Sequence, residues 1–146
     1  MDASEAVQEH WSDLLEDVAA TAEGFRAEGW EVLELHPGDV TVDSDALALD
    51  VLVPDDEFER LEAMVAEGSF DEHDVYRTAA GAVFLLVVAR DEERNQAVCC
   101  PAYYDPADAL ELKRRSREEG RITTRLRRLS GGAVEFTHGE PSLFFE

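Results

Sequence analysis

The residues best equipped for chemistry fall in two short stretches. His73, Asp74, Tyr76 and Arg77 lie within five positions, and Tyr103 and Tyr104 close a second, apolar stretch. An imidazole, phenols and a guanidinium that converge on a cleft can move a proton or hold a carboxylate. In extended backbone, successive side chains alternate between faces. His73 and Arg77 then share a side with Val75, while Asp74 and Tyr76 share the other. Nothing in that spacing forces convergence. Ordinary structural hydrogen bonding accounts for these residues, and a pocket of His73, Tyr76, Arg77, Tyr103 and Tyr104 is the sharper alternative.

The second stretch is electrostatic. Between positions 113 and 128 there are eight basic residues against Glu118 and Glu119, a local charge of +6, whereas the other 130 residues carry −27. On a strand, Arg121, Thr123, Arg125 and Arg127 share one face, opposite Ile122, Thr124 and Leu126. With Lys113 and Arg117, the arginines Arg121, Arg125 and Arg127 are candidates for an anion site, such as a phosphate or an acidic peptide. Three structural accounts compete. Cations suit the end of a helix, arginine pairs well with plentiful carboxylates, and an arginine-faced strand fits a subunit interface. Nucleic acid is not expected, because the acidic remainder repels a long polyanion and the window lacks aromatic stacking residues.

Other chemistries lack their patterns. His10, His36, His73 and His138 are scattered, with no metal-binding spacing, and Asp43-Ser44-Asp45 lacks the glycine and closing glutamate of a calcium loop. Phosphate loops, dinucleotide fingerprints and nucleophile elbows are absent. No metal or cofactor is expected, and the non-enzymatic reading stands ahead of the catalytic one. Cys99 and Cys100 are adjacent, which suits two small buried thiols pointing to opposite faces of a strand better than a disulfide.

The elements that must position these residues follow from periodicity. Residues 4–28 repeat apolar positions at three and four, as an amphipathic helix with Ser4 as N-cap and Gly29 as stop. Residues 30–35 and 40–42 read as a hairpin about His36-Pro37-Gly38-Asp39, followed by a strand at 46–53. Pro54 and three acids open a second helix that ends at Gly68. Strands follow at 73–79, 82–90 and 96–104. The middle one is apolar on both faces and therefore central, and Pro101 marks a bulge, an edge or a strand end. Asp105-Pro106 starts a third helix that stops at Gly120, and residues 121–129 and 133–137 form a hairpin about Ser130-Gly131-Gly132. The order α-βββ-α-βββ-α-ββ predicts a single α+β domain over residues 1–146, a mainly antiparallel sheet with about three helices packed on it.

The 146 residues are enough to bury roughly 70% of the unfolded surface. With 34 acids against 13 bases the net charge is −21, and Lys113 is the lone lysine beside 12 arginines. Such a surface repels itself in dilute buffer and is screened at molar salt, where the Debye length shrinks to about 3 Å. Salt-adapted cytosol is the expected setting. The acidic start has no basic and apolar leader, and no apolar run is long enough to span a bilayer, so neither export nor a membrane partner is expected.

The blocks Glu34-Leu35-His36-Pro37-Gly38-Asp39, His73-Asp74-Val75-Tyr76-Arg77 and Val98 to Asp105, on so acidic a chain, resemble an uncharacterised family of small acidic haloarchaeal proteins. The resemblance implies cytosolic life in an extreme halophile and carries no activity, cofactor or site. The reading that results is a non-enzymatic protein acting by binding or self-association. Its apolar tail Leu143-Phe144-Phe145 must dock onto the core or onto a second subunit, and with the arginine-faced strand it points to a homodimer. The competing reading is a small enzyme, or a protein that binds a small anionic ligand, using the Tyr/Arg/His pocket.

Overall fold

In the computed structural model, which describes residues 3–145, the N-terminal periodicity folds as one helix, α1 (Ala3–Ala27). Ser4 lies inside it, so any cap falls outside the described residues. Leu14, Val18 and Ala22 are buried at the expected spacing, and Gly29 closes the end at φ +88°.

Eight strands follow: β1 (Glu31–Glu34), β2 (Asp39–Asp43), β3 (Ala48–Leu52), β4 (Glu72–Ala79), β5 (Val83–Asp91), β6 (Gln96–Tyr104), β7 (Ile122–Arg127) and β8 (Ala133–His138). They divide into two sheets, β1-β6-β5-β4 and β2-β3-β7-β8. Each is antiparallel apart from one parallel pair, β1 with β6 and β3 with β7. The element order and α+β class match the expectation. The expected hairpin between β1 and β2 does not form. Val32 and Leu33 are both buried, so β1 needs cover on two faces and lies against β6, whereas β2 alternates and pairs with β3. His36, Pro37 and Gly38 carry the chain between the sheets.

One face of the first sheet and one face of the second enclose the main core. Leu85, Val87, Cys100 and Ala102 meet Leu49, Val51, Ile122, Leu126 and Phe136 there. Helix α2 (Asp55–Glu67) adds Phe58, Leu61 and Met64, and α3 (Leu110–Glu119) adds Leu112. The far face of the first sheet lies under α1, with Val18 and Ala22 on Val32, Leu86, Val88 and Cys99. The adjacent cysteines thus serve two different cores, both as buried free thiols. Burial pushes the Cys99 thiol up to about 12 and that of Cys100 higher still.

β5 is an inner strand, buried on both faces from Val83 to Ala89. Pro101 lies past the last β1 partner, Cys99, so among the described residues no strand pairs with it on that side and its missing N–H breaks no ladder. Asp105 does not cap α3. It accepts from the Ala107 amide in a separate turn, and the helix begins at Leu110. Gly120 ends α3 in the left-handed region at φ +72°, where its amide donates to the Ser116 carbonyl. The C-terminal turn (Pro141–Phe144, a 3-10 helix) docks on the chain's own core, with Phe144 fully buried and Phe145 nearly so.

Candidate functional site

The pocket of His73, Tyr76, Arg77, Tyr103 and Tyr104 is not assembled. β4 places His73 and Arg77 on the core side and Tyr76 on the α1 side, as strand alternation requires. Arg77 Nη1 donates to the carbonyls of Ser142 at 3.2 Å, Leu143 at 3.1 Å and Phe145 at 2.6 Å. The Tyr104 hydroxyl donates to the Phe144 carbonyl at 2.5 Å. Arg77 and Tyr104 therefore hold the C-terminal turn. Tyr103 packs edge-on against Trp11, with ring centroids 5.6 Å apart. Burial and the nearby Asp39 charge hold its phenol above the usual range.

The basic strip is largely engaged. Arg125 Nη2 lies 2.8 Å from Asp43 and 3.0 Å from Asp50, and Arg127 Nε lies 2.8 Å from Asp50. The parallel register sets Asp50 directly opposite Arg125, and Asp43 comes from the neighbouring strand. Hydrogen bonds to Asp43 and Asp50 hold the Arg125 guanidinium above its ordinary pKa, and the Arg125 bond holds the Asp43 carboxyl below its own. Arg114 pairs along α3 with Glu111 and Glu118, Arg115 reaches Asp45, and Arg128 lies over the Phe58 ring. Of the other candidates, Lys113 is half-buried, whereas Arg117 and Arg121 are exposed and take part in no ion pair among the described residues.

A groove of about 480 Å³ opens beside β4. Helix α1 packs on β1 and β6 and only partly covers β5, so Phe84 and Leu86 are left as a floor. Leu14 and Ala80 extend the apolar lining. His10, Asp13, Asp17 and Thr21 form one rim from α1, and Tyr76 and Thr78 form the other from β4. Tyr76 is 58% exposed. The α1 rim is legible only afterwards, as one helical stripe at spacings of three and four. β4 is also the outer strand of its sheet. Among the described residues, the backbone of β4 bonds to no strand other than β5. Two of its three charged side chains are engaged within the fold, and Glu72 at its start is exposed. Asp74 pairs with Arg90 at 2.8 Å, and Arg77 is bound to the C-terminal turn.

A second feature escaped the sequence reading. His138 on β8 and His73 on β4 lie ring against ring, with centroids 4.5 Å apart. His138 is 4% exposed. Burial, with repulsion from His73 second, pushes its pKa down to about 3, so the ring is neutral. Its Nε2 lies 2.9 Å from Thr124 Oγ1, and its Nδ1 has no partner among the described residues. The two histidines are 65 positions apart, and no local spacing joins them.

No described helix is long and apolar enough to cross a membrane. No curated protein and no solved structure matches the chain. One family model does match, over residues 1–146, and the chain belongs to that family of unknown function, DUF7529.

Proposed function

We propose that this is a salt-adapted, non-catalytic protein of the cytosol that works by association, pairing with a second copy along β4 and the groove beside it. The observation that carries this reading is the open edge of β4. An unpaired strand edge invites another strand, and proteins usually block it with charge, proline or a bulge. On β4 the charges of Asp74 and Arg77 are engaged within the fold and Glu72 lies at the strand's start, which leaves Tyr76 and Thr78 beside an apolar floor. Strand addition supplies backbone hydrogen bonds, and the groove supplies apolar burial. The two surfaces that first suggested a dimer have other roles: the Phe144-Phe145 tail is buried on its own core, and Arg125 and Arg127 face their own aspartates. The competing pocket reading loses support because Arg77 and Tyr104 are engaged by the C-terminal turn. The anionic surface, at a net charge of −21, fits molar salt.

Light scattering in molar KCl tests the reading. The expected mass is twice the chain's 16.3 kDa. Tyr76→Asp is expected to give a monomer with an unchanged circular dichroism spectrum. A parent that stays monomeric at high concentration overturns the proposal, and so does a dimer indifferent to Tyr76→Asp.

A further inference from the structure

We propose that His73 and His138 form a site for a divalent transition-metal cation of the zinc class, bound through the two imidazole Nδ1 atoms, with water completing its shell. The argument starts from tautomers. His73 Nε2 lies 2.8 Å from the Phe70 carbonyl oxygen. A carbonyl only accepts, so Nε2 carries the hydrogen and Nδ1 of the neutral ring presents a lone pair. His138 Nε2 meets Thr124 Oγ1 at 2.9 Å. Nε2–H donation to that hydroxyl leaves the buried Nδ1 as a lone pair as well, whereas the other tautomer would bury an unpartnered N–H. His138 Nδ1 is buried with no hydrogen-bond partner among the described residues, and the His73 ring makes its hydrogen bond through Nε2.

Two neutral imidazoles, each fixed through Nε2 by an oxygen, have the outer-shell arrangement that orients metal-binding histidines. Phe136 and Phe144 hold the rings in place, at 5.9 Å from His73 and 4.9 Å from His138. The rings line a cleft of about 390 Å³ that also includes Asp71, Glu72 and Glu140. Those carboxylates give the cleft a negative potential that draws cations. Among the described residues no group of three or more ligating side chains gathers to hold a metal ion, so a cation bound here would take two protein ligands and complete its shell with water. Imidazole pairs select zinc, copper or nickel over magnesium and calcium, which prefer oxygen.

The test uses chelator-treated protein in molar KCl, titrated calorimetrically with Zn2+ and, separately, with Cu2+ for electron paramagnetic resonance. Saturation at about one equivalent is expected, with the nitrogen couplings of two imidazoles in the Cu2+ spectrum. His73→Ala, at a half-buried position, is expected to keep the fold and weaken Zn2+ by at least about tenfold. His138→Gln serves as the second variant, and circular dichroism checks that it is folded. Absence of saturable binding overturns the proposal, as do equal affinity in folded His73→Ala and displacement by excess Mg2+, which would assign the ion to surface carboxylates.

Discussion

Arg77 donates to the carbonyl of Phe145 across 68 positions of sequence, at 2.6 Å. Its guanidinium also reaches Ser142 and Leu143, and Tyr104 takes the intervening Phe144 carbonyl. The C-terminal turn thus has its orphan carbonyls satisfied from two strands of the first sheet while Phe144 fills the core between the sheets.

Truncating Phe144 should therefore cost more than cutting the polar clasp. Phe144→Ala empties a fully buried ring position and is expected to lose about 3–5 kcal/mol. Arg77→Ala leaves the ring in place and is expected to lose roughly 1 kcal/mol, since exposed turn carbonyls can return to water. Urea unfolding in molar KCl gives both numbers. Equal losses would show that the clasp, not the ring, seats the turn.

The network of Asp43, Arg125, Asp50 and Arg127 makes a second prediction. Arg125→Glu with Arg127→Glu places two carboxylates beside Asp43 and Asp50. The groups are partly buried, so the loss should lie between the surface and interior limits, at about 2 kcal/mol. A polyphosphate-binding assay run beside the melt separates the alternatives. An unchanged melt together with lost binding would make the strip an anion site after all.

Asp91 supplies the pH prediction. It is buried, and its carboxylate accepts from the Ser69 amide at 3.0 Å and from the Arg94 and Glu93 amides. The Ser69 bond first, and then the other two, hold its pKa below the usual carboxylate range against the opposing effect of burial. A carboxyl depressed in the folded state stabilises above its unfolded pKa, near about 3.9, and the contribution fades as pH falls through the folded value. Asp91→Asn is expected to lower Tm near neutrality, and the gap from the parent is expected to shrink as pH drops below about 4. A constant gap across the acid range would remove Asp91 from the titration. Gly68→Ala probes the same turn, because a Cβ there would stand 2.5 Å from Asp91 Oδ2.

The course of the fold was legible where one residue pattern dictates one element. The stripe Leu14, Val18 and Ala22, the two-faced run of β5 and the Ser130-Gly131-Gly132 turn each have a single local solution. The partner of β1 was not legible, because parallel pairing with β6 is set by which faces need cover far along the chain. The site was less legible still. Strand alternation correctly separated Tyr76 from Arg77, but the roles of Arg77 and Arg125 depended on the C-terminal carbonyls and on Asp43 and Asp50. His73 and His138 meet only because β4 of one sheet and β8 of the other come together.

The last prediction concerns salt. Glu5, Glu9, Asp13, Glu16, Asp17 and Glu23 are exposed on α1, and Asp55, Asp56, Glu59, Glu62 and Glu67 are exposed on α2. At about 0.1 M salt the Debye length is near 10 Å, so neighbouring carboxylates along each helix feel one another, whereas at about 1 M it is near 3 Å and they do not. The folded state holds these charges closer together than the unfolded chain does, so screening stabilises it. The pairs of Arg125 and Arg127 weaken in the same salt, but they are part-buried and less exposed to screening. Repulsion among the surface acids is therefore the larger effect, and Tm is expected to rise steadily with KCl from about 0.1 M to about 1 M. A series in sucrose at low salt separates charge screening from excluded-solute stabilisation, because sucrose strengthens burial without screening. A rise in KCl well beyond that in sucrose supports repulsion among the acids as the cause. A Tm equal at both KCl concentrations would remove salt adaptation as the reason for a net charge of −21.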